Sequence, residues 1–213
     1  APPADEDGPP MPPAARKLPA KAGLNRFAWD LRHADATRFK NLILWAGNTQ
    51  GPRATPGAYQ VRLTAGGKSW TEPLEVRKDP RLATTQAEFD AQLALSLQVR
   101  DKLTETHDAI TRVRSVRDQV TSAAERAKAK GDDQKVKDAA EALKKKLTAV
   151  EEALYQTKNQ SNQDPLNFPI RLNNKLAALG GAVAMGDAAP TAQAREVYRE
   201  LAGRIDAELK TLR

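Results

Sequence analysis

The stretch TQAEFDAQLALSLQVRDKLTETHDAITRVRSVRDQVTSAAERAKAK, residues 85–130, decides the fold class. It opens on Thr85-Gln86-Ala87-Glu88. That is a capping box, in which the Thr hydroxyl and the Glu carboxylate reciprocally satisfy orphan N–H groups of a first helical turn. The reading is one helix to about Lys130, about 65 Å long at a rise of 1.5 Å per residue. Gly131 then ends it in a left-handed cap and Asp132 caps the next helix. In that second helix Val136, Ala140, Leu143, Leu147, Val150 and Leu154 recur at alternating spacings of four and three, a two-per-heptad seam. After a polar link at 159–163, Asp164-Pro165 reads as a cap with Pro at the first helical position. The third helix carries Leu172, Leu176, Leu179 and Val183, and Gly180-Gly181 weakens its end. The fourth begins near Pro190-Thr191 and carries Ala194, Tyr198, Leu201, Ile205, Leu209 and Leu212. Short links between amphipathic helices imply antiparallel neighbours, so residues 85–213 are expected to form an α-helical bundle of about four helices.

Upstream the period changes from helical to two. Phe27-Ala28-Trp29-Asp30-Leu31-Arg32 and Tyr59-Gln60-Val61-Arg62-Leu63-Thr64 alternate, and Trp70, Leu74 and Val76 continue the pattern after the turn Ala65-Gly66-Gly67-Lys68. Such alternation marks strands with one buried face. Pro56-Gly57 suits a turn, and Pro73 belongs on an edge or at a bulge. Residues 33–55 form a long insert holding the apolar run Leu42-Ile43-Leu44-Trp45. Residues 1–22 hold seven of the 14 prolines. They cannot supply the backbone donors of a helix or an internal strand and read as an extended, solvated spacer. The expectation is therefore α+β in separate parts: a linker at 1–22, a small antiparallel β-sandwich of immunoglobulin or fibronectin type at 23–80, and an antiparallel α-helical bundle with one long helical hairpin at 85–213.

Bulk composition narrows the function classes. The chain has 213 residues and no cysteine, which excludes disulfides, thiolate zinc sites and cysteine nucleophiles. The net charge of +7 is spread along the chain: residues 1–80 carry 12 Lys/Arg against 8 Asp/Glu, and residues 81–213 carry 22 against 19. A nucleic-acid binder concentrates its basic residues on one face, so no nucleic-acid partner is expected. No apolar run approaches the ~18 residues of a membrane span. The start at Ala1 suggests a piece of a longer chain.

No set of side chains converges on a reaction. His33 and His107 fall in different parts, and His107 lies between Leu103 and Ile110 on the seam of the first helix, as a polar residue at a packing edge. Asp132-Asp133 and Glu151-Glu152 are adjacent helical or capping residues whose side chains diverge. Asp30, Asp35, Glu72 and Glu75 include no pair whose spacing suggests the two facing carboxyls of a glycosidase. No catalytic, cofactor or metal residue is assigned, and no cofactor is expected. Trp29 and Trp70 fit the inward period of their strands and read as core; a glycan platform is the other use of such aromatics. Asn173 and Asn174 sit mid-helix, where Asn competes with the backbone, so hydrogen bonds to a neighbouring segment are expected. Leu42, Ile43, Leu44 and Trp45 lack alternation, so both sides of the run seek burial. They are the candidate interaction residues, with the bundle of the same chain, another domain or a second copy as partner.

Four stretches carry a resemblance: Gly23-Leu24-Asn25-Arg26-Phe27-Ala28-Trp29-Asp30-Leu31-Arg32, Pro56-Gly57-Ala58-Tyr59-Gln60-Val61-Arg62-Leu63, Arg77-Lys78-Asp79-Pro80-Arg81 and Asn167-Phe168-Pro169-Ile170-Arg171-Leu172-Asn173-Asn174-Lys175-Leu176. Together they resemble the C-terminal region of secreted bacterial proteins built on a sortilin-like (VPS10-type, BNR-repeat) β-propeller, often labelled glycosyl hydrolases. The resemblance covers nearly everything after residue 22. The β part also resembles the immunoglobulin-like module of flagellar hook-capping proteins. The resemblance implies an extracytoplasmic address and a propeller upstream, and it brings no catalytic residue to this stretch. The expected function is a non-catalytic accessory region that docks to the propeller or self-associates as a homo-oligomer. The alternative is a carbohydrate-binding accessory module.

Overall fold

A computed structural model of the chain describes residues 20–129 and 134–212. The cap expected at Gly131 and Asp132 and nearly all of the proline-rich spacer lie outside the described residues. Among the described residues two strands and four α-helices follow one another: β1 (Gly57–Ala65), β2 (Lys68–Val76), α1 (Gln86–Ala129), α2 (Gln134–Leu154), α3 (Leu172–Val183) and α4 (Ala192–Lys210). The fold is mixed α+β and mostly helical.

The capping box forms: the Thr85 N–H donates to Glu88 Oε2 at 2.7 Å and the Glu88 N–H to Thr85 Oγ1 at 3.3 Å. The Thr85 N–H and the Thr85 hydroxyl, 2.8 Å from Oε2, stabilise the anion and hold the Glu88 carboxyl below its usual pKa. Thr191 caps α4 by accepting from the Ala194 N–H at 3.0 Å. Asp164-Pro165 opens only a single 3-10 turn, Asp164–Leu166, rather than the third helix. Pro169 lacks the N–H a continuing helix would need, and α3 starts three residues later.

Cross-helix pairs give the helix directions. Arg114 meets Glu151 and Arg117 meets Thr148, so α2 runs antiparallel to α1. Gln92 reaches Val183 and His107 reaches Asn173, so α3 also runs antiparallel to α1, along its N-terminal half. Lys102 pairs with Asp206 and Gln98 with Tyr198, so α4 runs with α1. α2 and α3 therefore point the same way, in succession along α1, because residues 155–171 carry the chain onward instead of reversing it. Gly180, inside α3, lets α1 come close: a Cβ there would stand 3.1 Å from Val99 Cγ1. The buried cluster contains Val99, Leu103, Ile110, Val150, Leu154, Tyr155, Leu172, Leu176, Leu201 and Ile205.

Among the described residues the β-structure is one two-stranded antiparallel sheet, so the expected sandwich does not form there. β1 and β2 pair from Gly57↔Val76 to Ala65↔Lys68 around Gly66-Gly67. Both turn glycines take positive φ, 56° and 76°, which suits the tight primed turn of a two-residue hairpin. Residues 27–32 are not a strand. Leu31 turns to φ 59°, outside the β region, and only the isolated bridge Arg32↔Arg53 remains.

Candidate functional site

The insert at 33–55 is an arm laid on the bundle. Its two limbs pair irregularly through Ala36 N–H to Thr49 O (2.8 Å), His33 N–H to Pro52 O (2.9 Å) and Ala54 N–H to Leu31 O (2.7 Å). Gly51 has no room for a side chain: a Cβ would stand 2.0 Å from the His33 carbonyl oxygen. Ala36 and Phe39 enter the buried helical cluster, and Leu42 and Leu44 pack against it. Thus an arm that the sequence placed with the β part shares its core with the helices.

Three devices lock the arm down. Asn174, buried on α3, grips the main chain of Trp45: the Trp45 N–H donates to Oδ1 at 2.7 Å, and Nδ2 donates to the Trp45 carbonyl at 2.6 Å. Beside it Gly47 comes so close to α3 that a Cβ would sit 2.9 Å from the Ala177 carbonyl carbon. His107, buried on α1, has Nδ1 2.6 Å from the Thr37 carbonyl and Nε2 3.3 Å from Asn173 Nδ2. The carbonyl can only accept, so Nδ1 carries the proton and Nε2 accepts from the amide. Burial pushes the His107 pKa below its usual value despite the Thr37 bond, and nearby Arg38 acts the same way. Phe39 lies edge-on to both His107 and Tyr155, with ring centroids 5.1 and 4.9 Å away.

The third device joins the arm to α2. Arg114 donates to the Lys40 carbonyl at 3.0 Å, stacks over Phe39 at 4.7 Å, and donates from Nε to Glu151 Oε1 at 2.7 Å. Glu151 is 2% exposed and also forms an ion pair with Arg117, 2.7 Å from Oε2, though that N–H is not aimed at the oxygen. The Tyr155 hydroxyl donates to the Asn41 carbonyl at 2.9 Å and accepts from the Ile43 N–H at 3.3 Å. Burial raises its pKa.

The run Leu42-Ile43-Leu44-Trp45 therefore lies against the helices of its own chain, with the Trp45 ring at the surface. Asn173 and Asn174 stand in the first turn of α3 rather than mid-helix, because the helix starts only at Leu172, and both bond to a neighbouring segment as expected: Asn173 to His107 and Asn174 to Trp45. Sequence reasoning missed Phe39, Arg114 and Tyr155, and it read Glu151 with Glu152 as a diverging, solvated pair, whereas Glu151 is buried and paired with two arginines. Glu151 and Tyr155 each follow directly on an apolar seam position, Val150 and Leu154, and that placement was the available signal.

Three of the acidic candidates are occupied locally. Asp35 Oδ1 accepts from the Gly51 N–H at 2.7 Å, Asp30 Oδ1 from the Arg32 N–H at 3.1 Å, and Glu75 pairs with Arg77 at 2.7 Å. Among the described residues no three His, Asp or Glu side chains group as metal ligands. A cleft of about 180 Å³ lies between the arm and the α1–α3 pair, lined by Arg32, Thr49, Arg100 and Gly180. The Arg32 and Arg100 guanidiniums there donate to the Gly51 and Ala34 carbonyls, so they serve the arm.

The hairpin is the bare part. Cross-strand partners share a face, so Tyr59, Val61, Leu63, Trp70, Glu72 and Leu74 lie on one side. At its base Trp29 packs edge-on against Tyr59, centroids 5.8 Å apart, and its Nε1–H donates to the Arg32 carbonyl at 3.0 Å. Farther out Val61, Leu63 and Trp70 are 53%, 53% and 51% exposed. Trp29 and Trp70, expected as core, are exposed because no second sheet covers them among the described residues. No described helix is long and apolar enough to cross a membrane. Compared with protein-family models, characterised proteins and solved structures, the chain matches none.

Proposed function

We propose that this chain is a non-catalytic interaction region: a helical scaffold that holds out a β-hairpin for docking to a folded neighbour. The observation that carries this reading is the exposed apolar face of the hairpin at Val61, Leu63 and Trp70. A two-stranded ribbon buries too little of itself to be stable alone in water, and a bare apolar face on such a ribbon marks a contact surface. The scaffold supports the role, because the arm leading into β1 is fixed to the bundle by Asn174, His107 and Arg114. In the terms of the family it resembles, the neighbour is the β-propeller of a larger extracytoplasmic protein.

Titration calorimetry of that propeller with the chain tests the reading. Wild type should bind, and Leu63→Ser with Trp70→Ser should bind at least tenfold more weakly while the helical melt stays unchanged. Equal binding by the double variant, or none by wild type, overturns the proposal. The exposed Trp70 ring also favours a second reading, a carbohydrate-binding module; soluble glycans that shift tryptophan fluorescence saturably would select it.

A further inference from the structure

The two edges of the hairpin differ, and the difference follows from the register. Ala65↔Lys68 closes the two-residue turn and is a hydrogen-bonded pair, as are Leu63↔Trp70, Val61↔Glu72 and Tyr59↔Leu74 by alternation. Gln60↔Pro73 falls between them as a non-bonded pair, which suits a proline with no N–H. The main-chain N–H and C=O groups of Ala58, Gln60, Arg62 and Thr64 therefore point outward from β1. On the outer side of β2 the same parity places Ser69, Thr71, Pro73 and Glu75. That edge is broken by Pro73, a device that blocks strand addition. β1 has no proline and one charge, Arg62. Among the described residues β2 is the only strand paired with β1.

We infer that β1 pairs with β1 of a second copy of this chain, antiparallel about a two-fold axis at Val61, to form a four-stranded sheet. This rests on the reading of the hairpin as an interaction element and names one partner for its edge. The strand reads Gly-Ala-Tyr-Gln-Val-Arg-Leu-Thr-Ala from 57 to 65 and complements itself about its centre. In that register Gln60 faces Arg62 of the copy, Tyr59 faces Leu63, and Ala58 faces Thr64. On one face Gln60 and Arg62 meet, flanked by the small side chains of Ala58 and Thr64, and apolar side chains meet apolar ones on the other. The outward main-chain groups of the four even-numbered residues are all paired. Centring on Arg62 would set two guanidiniums against each other, and centring on Gln60 would put Leu63 opposite Gly57, so Val61 is the favoured axis. An isologous two-fold contact of this kind closes at a dimer and leaves only the two proline-bearing edges outside.

Sedimentation equilibrium of the full 213-residue chain over a wide concentration range tests this. Wild type should pass reversibly from monomer to dimer. Gln60→Pro removes an outward N–H and no bond within the hairpin, so association should weaken at least tenfold. Protection of the Val61, Leu63 and Trp70 amides from exchange verifies that the hairpin is intact. The axis sets position 60 against Arg62 of the copy twice, so Gln60→Glu should tighten the dimer at low salt and Gln60→Lys should loosen it. A chain that stays monomeric at every concentration overturns the inference. So does a dimer indifferent to Gln60→Pro, or one that responds alike to Glu and Lys at position 60. Propeller docking through the apolar face is read separately by calorimetry: a dimer without docking overturns only the docking proposal, and docking by a strict monomer overturns only the self-pairing.

Discussion

Asn174→Ala tests the attachment of the arm at its tightest point. The substitution deletes the Oδ1 that accepts the Trp45 N–H at 2.7 Å and the Nδ2 that donates to the Trp45 carbonyl at 2.6 Å. A hydrogen bond contributes about 1 kcal/mol net, but a buried group stripped of its partner costs about 1–3 kcal/mol. Asn174 is 3% exposed, and its two bonds to the Trp45 main chain are part-buried. The two bonds together should then be worth about 2–3 kcal/mol. Urea unfolding followed by far-ultraviolet circular dichroism should show the midpoint shifted by that amount at constant slope. Hydrogen exchange adds a local readout, in which the Ala36, His33 and Ala54 amides of the arm should lose protection before the amides of α1. A loss below about 0.5 kcal/mol, the range of an ordinary surface change, with the arm amides still protected, would refute the clamp.

Three further outcomes follow from the same contacts. Burial lowers the His107 pKa in the folded chain, so the unfolded chain takes up the proton first as pH falls; this contribution to stability is complete above about pH 6.5 and is lost progressively below it. Urea midpoints measured from about pH 7.5 down to about pH 5 should show that slope in wild type and a shallower one in His107→Gln. Glu151→Ala leaves Arg114 and Arg117 facing each other without their anion; breaking a buried pair costs about 3–5 kcal/mol, and the lower end applies because both arginine side chains are 29% exposed. Thermal denaturation should register the loss, and an unchanged midpoint would contradict the ion pair as the joint between arm and α2. A chain trimmed to residues 85–213 should stay helical but melt earlier and more broadly than the full chain, since it lacks Phe39, whose removal from a core costs about 3–5 kcal/mol. Coincident melts would show that the arm is dispensable to the bundle.

The helices were legible because their information is local. The capping box at Thr85, the Thr191 cap and the hairpin turn at Gly66-Gly67 each act within a few residues; the four-three seam of α2 is buried at Ala140, Leu147, Val150 and Leu154, whereas Val136 and Leu143 are exposed. The missing strand at 27–32 was not legible, because alternation reads side chains and the break lies in the backbone of Leu31. The arm was harder still. Its residues have no period, and their partners lie far along the chain: His107 is 70 residues from Thr37, and Asn174 is 129 residues from Trp45. What could be read was discord. Two asparagines that the sequence set inside a helix and an unalternating apolar run in a loop each signalled a missing partner; Asn174 grips the run at Trp45, while Asn173 pairs with His107. Exposure of Trp70 could not be read, because strand alternation says which side chains share a face and not whether that face is covered.

The most direct measurement of the docking claim is the accessibility of Trp70 itself. In a chain carrying Trp29→Phe and Trp45→Phe, Trp70 is the sole fluorescent indole. Acrylamide should quench it freely in the isolated chain at low concentration and severalfold less once the β-propeller partner is added. Quenching that stays the same in a complex shown to form by sedimentation would place the contact elsewhere and contradict the hairpin as the docking surface.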